Sequence, residues 1–359
     1  FPNSKGGLPA SEITIAEALS ANGYVTSCVG KWHLGHRREY LPTQNGFSEY
    51  FGIPYSNDMD RVAQAPRGRL AFLEPRVPYW NVPLMRNEEI IERPAEQTTI
   101  TRRYTREATR FIRENKDESF FLYLAHSMPH VPLFRSEAFA GRSTRGLYGD
   151  VIEEIDGSVG EVLDTLRELG LENDTLVFFT SDNGPWLIFD EHGGSAGPLR
   201  EGKGSTWDGG MREPTLAWWP GKVKPGRVEQ QVASTMDLYA TMHSLAKIDL
   251  PNDRQLDSHD LTPVLLGTGP SARESLFFYR GYRLMAVRKG PWKMHLMTQA
   301  GYGEREPKLH DEPLLFQVEN DPGEKHDVAK RHPKVIEELR QIVADHQANF
   351  EPAESELEK

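Results

Sequence analysis

The sequence predicts an α/β fold: a large, mostly parallel (mixed) sheet flanked by helices, then a smaller C-terminal antiparallel sheet packed by a C-terminal helix. Three observations carry this expectation. Helical and strand patterns alternate from residue 14 to about residue 247, and the strand segments are nearly continuous apolar runs, as strands covered on both faces require. After about Leu266 the pattern changes to short strand segments separated by glycine, proline and charge. A first region over 1–265 and a second over 266–359 are therefore expected.

Thr14 and Glu17 have capping-box spacing, so a helix should open there and close near Gly23, whose missing Cβ suits a left-handed cap. A strand follows at 24–29. Leu41 to Arg93 is rich in proline, aromatics and charge but has little periodicity, and is expected to be a long excursion over the sheet. Tyr104, Ala108, Phe111 and Ile112 fall on one helical face, and the strand SFFLYLA comes next. Val151, Ile152, Ile155, Val159, Leu163 and Leu166 mark a second amphipathic helix, closed by Gly170. TLVFFT, from Thr175, should be a buried central strand, followed by a strand TLAWW at 215–219 and a helix near 235–247. In the second region the expected strands are Leu276–Tyr279, Leu284–Arg288, Trp292–Leu296 and Leu314–Val318, with His332–Phe350 as the final helix.

Composition narrows the function. With 359 residues and 26% charged residues the chain can bury one large core and a smaller one. A net charge of -11 argues against a general nucleic-acid binder, because a phosphate backbone demands a basic face. No apolar run approaches the roughly 20 residues that span a bilayer, so no membrane partner is expected, and FPNSKGGLPAS lacks the regions of a signal peptide. The single cysteine, Cys28, excludes an internal disulfide and lies in an apolar run, where it reads as core.

Ligands of open α/β sheets sit beyond the carboxyl ends of the strands, and polar motifs occupy those positions here. YVTSCVGKWHLGH ends in Lys31 and His33, which alone would read as surface or structural residues. FFLYLAHSMPH ends in His126 and His130, of which one is expected to be structural, and the motif favours the second. TLVFFTSDNGP ends in Asp182 and Asn183, oxygen donors of the kind hard cations prefer, although an Asx turn around Gly184 would use the same residues. The stretch 193–214, GGSAGPLREGKGSTWDGGMREP, sets Lys203 between two glycines and lacks the Walker pattern. Together these motifs suggest an oxyanion held between a divalent cation and Lys or His donors.

These residues resemble the type I sulfatases of the alkaline phosphatase superfamily. GYVTSCVGKWHLGH looks like the second sulfatase signature. TSDNGP with the following GGSAGPLREGKGSTWDGGMREPTLAWWPG is similar to the family's metal and lysine segment, and DLTPVLLGTG and LLFQVENDPGEKHD match its linker and C-terminal strand. FGIPYSND is more like the arylsulfatase A branch, whereas GKWHLGHR, GGMREPTLAWWPG and FFYRG are more like the N-acetylgalactosamine-6-sulfatase branch. The resemblance covers essentially the whole chain. It implies that Asp182 and Asn183 bind Ca2+, that Lys31 and Lys203 hold sulfate oxygens, and that His33 contacts the nucleophile. His130 and Lys203 would stabilise or protonate the departing alcohol. Ser56 matches a pocket serine, and Arg280 and His310 would read the substrate from the smaller sheet.

One departure matters. The family's nucleophile is a formylglycine made from the Cys or Ser of a C/S-x-P-x-R motif, and these 359 residues contain none. In the family this motif and two further calcium aspartates precede the point where the sequence begins, so the chain is expected to be the larger part of such an enzyme. A smaller departure is Ser258 in LDSHDL, where many relatives have glycine. The resemblance implies a small-molecule or glycan sulfate ester as substrate and a formylglycine-generating maturation enzyme as partner of the full-length protein. It admits a homo-oligomer and favours a periplasmic or secreted location over a lysosomal one. Two alternatives stand beside it: a phosphomonoester or phosphonate hydrolase of the same superfamily, and a catalytically inactive binder of sulfated glycans.

Overall fold

In a computed structural model, which describes residues 1–350, the chain forms two units. One comprises Phe1–Thr175 and Met242–Pro251; the other comprises, among the described residues, Leu176–Thr241 and 252–350. Residues 351–359 of the expected second region lie outside the described residues.

The first unit is built on a five-stranded mixed sheet. Helix α1 (Ile15–Ser20) opens on the expected capping box, Glu17 N donating to Thr14 Oγ1 at 3.0 Å and Thr14 N to Glu17 Oε2 at 2.7 Å. Gly23 then takes its left-handed turn at φ 87° and delivers the chain to β1 (Val25–Lys31). β1 pairs in parallel with β2 (Glu49–Ile53) on one side and with β5 (Phe120–Ala125) on the other. Beyond β2 lie β3 (Leu84–Arg86) and β4 (Glu89–Glu92), both antiparallel, giving the order β4-β3-β2-β1-β5. The stretch expected to be an excursion thus supplies three strands and a short helix α2 (Leu70–Leu73). Its strands are only three to five residues long, and the two antiparallel ones turn at Asn87, left-handed at φ 52°.

Helices α3 (Ile100–Glu114) and α4 (Gly146–Glu168) pack against each other, and α3 lies on β1, β2 and β5. The expected apolar face of α3 is buried through Tyr104, Ala108, Phe111 and Ile112. Cys28 is fully buried among Ala16, Trp32, Leu41, Phe47, Tyr50 and Met85.

In the second unit, β6 (Val177–Thr180) pairs antiparallel with β7 (Thr215–Trp218), and among the described residues these two form a sheet of their own. The expected central strand therefore finds its partner in TLAWW: with a hairpin-like return available through the glycine-rich stretch, its backbone groups pair with that segment. Between them sits the one-turn helix α5 (Asp208–Met211). Helix α6 (Asp237–Ala246) begins in this unit and carries the chain into the other. Its buried Asp237 accepts from Arg273 Nε at 2.9 Å and caps Ser234 N, and α7 (Thr262–Leu266) follows. The C-terminal sheet is antiparallel with the order β11-β10-β9-β8, from β8 (Ser275–Arg280), β9 (Arg283–Lys289), β10 (Trp292–Thr298) and β11 (Lys308–Gln317). Helix α8 (Pro333–Ala348) covers it, burying Leu339 and Val343 against Leu284, Val287, Met294 and Leu315.

Candidate active site

In the first unit the donors gather where β1 and β2 leave the sheet. A Cβ on Gly30 would lie 1.8 Å from Ala125 O and one on Gly52 would lie 1.7 Å from Gly30 O, so only glycine lets three strands run this close. The pairing continues past β1: Trp32 N donates to Ile53 O at 3.0 Å and His33 N to Pro54 O at 3.1 Å. Lys31 is the last residue of β1, opposite Ile53, and His33 turns outward with φ 61°.

The paired segment then brings in Ser56, which is buried. Ser56 Oγ lies 3.4 Å from His130 Nδ1, and that nitrogen lies 2.7 Å from Val131 O and 3.9 Å from Asp58 Oδ1. A carbonyl only accepts, so Nδ1 carries a hydrogen and Nε2 is the nitrogen left to gain or lose a proton. Asn57 fixes this arrangement: its Nδ2 donates to Pro132 O at 3.0 Å and Gln97 Oε1 at 3.2 Å, and Gln97 Nε2 donates back to Asn57 O. Asn57, Asp58 and Gln97 escaped the sequence reading, although the ND after Ser56 carried the signal. His126 does structural work instead: its Nε2 meets Ser158 Oγ at 3.2 Å, and burial pushes its pKa down to about 4.

In the second unit, continuing the β6–β7 register from the Thr180–Thr215 pair by two residues sets Asp182 opposite Glu213. The strands stay close, since Gly184 N donates to Gly210 O at 3.2 Å and a Cβ on Gly184 would lie 1.9 Å from Gly209 O. Burial, and then the negative charge of Asp182, push the Glu213 carboxyl up to about 7. Its Oε1 is buried and accepts no hydrogen bond among the described residues. The facing carboxylates of Asp182 and Glu213, the latter with an orphaned oxygen, and the amide oxygen of Asn183 are oxygen donors alone, which suits a hard divalent cation. The fit is in kind: among the described residues no group of three or more His, Cys, Asp or Glu side chains forms a complete cage. Glu213 was not singled out by sequence, because REP reads as an ordinary turn.

Lys203 is held from two sides. Its N donates to Pro185 O at 2.9 Å, and its Nζ stands 4.9 Å from the centre of the Trp186 ring. Below this loop is a buried charge network. Lys293 Nζ donates to Asp208 Oδ1 at 2.7 Å and Thr206 O at 2.8 Å, and lies 3.3 Å from Glu324 Oε1. Glu324 in turn accepts from Asp208 N at 2.7 Å and from His295 Nε2 at 2.7 Å. Burial pushes the Glu324 carboxyl up, but the His295 bond and the Lys293 charge outweigh it and hold it below the usual range. Arg280 donates to Ala300 O and Gly301 O at 2.8 and 3.2 Å, on the β10–β11 connection, and His310 Nε2 on β11 meets Thr298 Oγ1 at the end of β10 at 2.9 Å. Of the expected site residues, Lys31, His33, Ser56 and His130 thus belong to the first unit, and Asp182, Asn183, Lys203, Arg280 and His310 to the second.

Each unit by itself thus carries residue types that an oxyanion ester would meet: lysine and histidine at strand ends in the first, carboxylates beside a lysine loop in the second. The chain matches the family model "Sulfatase" over residues 2–248 and "C-terminal region of aryl-sulfatase" over 271–359. It belongs to the sulfatase family, whose members are sulfuric ester hydrolases. It is 40% identical to arylsulfatase A of Homo sapiens, over 95% of this chain and 72% of that protein, and 38% identical to N-acetylgalactosamine-6-sulfatase of Mus musculus, over 98% and 72%. Among solved structures, the PsFucS1 sulfatase from Pseudoalteromonas sp. aligns with a TM-score of 0.83 at 25% identity, over 97% of this chain and 75% of that one. Among the described residues no helix is long and apolar enough to cross a membrane.

Proposed function

We propose that the chain hydrolyses sulfate monoesters of a carbohydrate, with a formylglycine nucleophile attacking sulfur and the sugar hydroxyl leaving. The observation that supports a leaving-group role most directly is the Val131–His130 contact, which holds the hydrogen on Nδ1 and leaves Nε2 for proton transfer, with the Asp58 carboxylate 3.9 Å away. In this reading His130 Nε2 delivers the proton to the departing alcohol oxygen, and Ser56 steadies the ring. Lys31 and Lys203 hold sulfate oxygens, His33 takes a proton from the nucleophile, and Arg280 and His310 support substrate contacts from the C-terminal sheet. Asp182 and Asn183 hold Ca2+, with Glu213 beside them; when bound, the cation supplies positive charge against the oxygens of the ester. Cys28 does not fit the nucleophile's role, because it is fully buried in β1 and burial pushes its thiol far up.

Parallel kinetics on the sulfate and phosphate esters of one sugar test the proposal, with intact-mass measurement of the active enzyme reporting formylglycine. A higher kcat/KM on the sulfate is expected; a clear phosphate preference would overturn the reading.

A further inference from the structure

Lys203 is not alone on its side of the second unit. The Trp186 ring under its ammonium packs against Phe189, centroids 4.7 Å apart at 78°, and against Tyr302, centroids 5.7 Å apart at 33°. Trp186 reaches this place because Trp186 N donates to Gly193 O and Pro185 O receives Lys203 N. Tyr302 reaches it from the other direction, on the connection between β10 and β11. That connection is pressed onto the lysine loop: a Cβ on Gly301 would lie 2.4 Å from Lys203 O, and one on Gly204 would lie 3.0 Å from Gly301 O. Arg280 holds Ala300 O and Gly301 O, and Ala300 N donates to Glu304 Oε2 at 2.7 Å, so the backbone under Tyr302 is fixed from both sides. The Tyr302 side of the pair faces water, 42% of the residue being exposed.

An ordered tyrosine that presents an exposed ring, braced by a tryptophan and adjoining a cation, has the form of a stacking surface. Six-membered rings place C–H bonds or a π face on such a surface and gain more there than an acyclic chain does. We infer that Trp186 and Tyr302 form a platform that stacks the ring of the leaving group, a pyranose or an aryl ring, while Lys203 holds the sulfate attached to it. The spacing agrees: an ester oxygen in contact with Lys203 Nζ sets the attached ring a few ångströms away, comparable with the 4.9 Å between that ammonium and the Trp186 ring against which Tyr302 packs. Arg280 then acts as a positioning residue, through the backbone under Tyr302. The inference rests on the proposed sulfate contact of Lys203, and the experiment separates the two.

Tyr302→Ala and Tyr302→Phe would be assayed in the full-length enzyme on galactose 6-sulfate, p-nitrophenyl sulfate and the ringless ethyl sulfate, with inorganic sulfate as inhibitor. Tyr302→Ala should raise KM about 3- to 10-fold on a ring-bearing ester. It should leave ethyl sulfate kinetics and the inhibition constant of sulfate unchanged, and Tyr302→Phe should behave as wild type. A rise on galactose 6-sulfate alone assigns the platform to sugars, and a rise on both ring esters assigns it to any flat ring. An equal loss on ethyl sulfate, or weaker sulfate inhibition in Tyr302→Ala, would show that Tyr302 acts through the lysine loop and overturns the platform, as would no change on any ester. Lys203→Ala reports separately: unchanged inhibition by sulfate there would overturn the lysine contact, whatever Tyr302 does.

Discussion

Lys293→Met probes the buried charge network under the lysine loop. Lys293 is fully buried, with three oxygen partners, two of them on the carboxylates of Asp208 and Glu324, whose side chains are 2% and 0% exposed. Methionine fills similar space but leaves both carboxylates facing a hole of positive charge. His295 still donates to Glu324, and Arg212 Nη1 stands 3.7 Å from Asp208 Oδ2, so part of the charge remains balanced. Breaking a buried pair by removing one partner costs about 3–5 kcal/mol, mostly from the charge left behind. At about 2–4 °C per kcal/mol for a domain of this size, the midpoint of thermal unfolding should fall by roughly 6–20 °C. Adding Asp208→Asn and Glu324→Gln to Lys293→Met should restore much of the loss, since neutral partners no longer need the ammonium. Circular dichroism melts of the three proteins check this. A loss below about 1 kcal/mol for Lys293→Met, or no recovery in the triple variant, would refute the argument that paired charge holds this core.

Asp182→Ala should abolish calcium-dependent turnover and calcium binding measured by calorimetry; normal turnover in that variant removes the metal assignment. His130→Asn should lower kcat more on an alkyl sulfate than on p-nitrophenyl sulfate, whose leaving group needs little protonation, and equal losses on both would argue against a general acid. His126 predicts a pH dependence of stability. Its folded-state pKa, pushed to about 4 from 6.5, is below the unfolded value, so the unfolded chain takes up the proton first. Its contribution is complete above about pH 6.5 and is lost as pH falls to about 4, amounting to about 3 kcal/mol at most. His126→Gln should flatten that part of a urea-denaturation series; an unchanged slope contradicts the assignment. Cys28 should resist alkylation by iodoacetamide in the native protein and react only on unfolding, as read by mass spectrometry, because its thiol is buried and held protonated.

What the sequence made legible follows from length and period. The α1 capping box, the apolar face of α3 and the strand at Phe120–Ala125 each carry a local signal strong enough to survive tertiary context. β2, β3 and β4 did not, because EYFGI, LMR and EIIE are too short to show alternation and their pairing comes from neighbours distant in sequence. Strand Val177–Thr180 was recognised, but it is half-buried with Phe179 exposed rather than buried as expected, and its partner was not foreseen: an apolar run shows neither how far a strand is covered nor in which direction its neighbour runs. The cationic strand ends were legible by position. The Lys293–Asp208–Glu324–His295 network was hidden because WKMHL alternates, and alternation reads as one wet face; here Lys293, Met294 and His295 are all buried, since the polar face of β10 lies under the lysine loop. Glu213 was hidden for a related reason, since its partner Asp182 lies 31 positions away and meets it only through strand pairing.

The same network bears on modularity. The lysine loop accepts a hydrogen bond from Lys293 and donates to Glu324, which lie some 90 and 120 positions further along the chain. A graft of the C-terminal sheet from a relative must therefore bring matching charges at both positions. A chain cut after α6 would keep every strand of the five-stranded sheet yet deprive Asp208 of its ammonium partner. The smaller sheet is thus a foundation for the lysine loop, with the buried Lys293 and His295 of β10 turned to the charges beneath that loop.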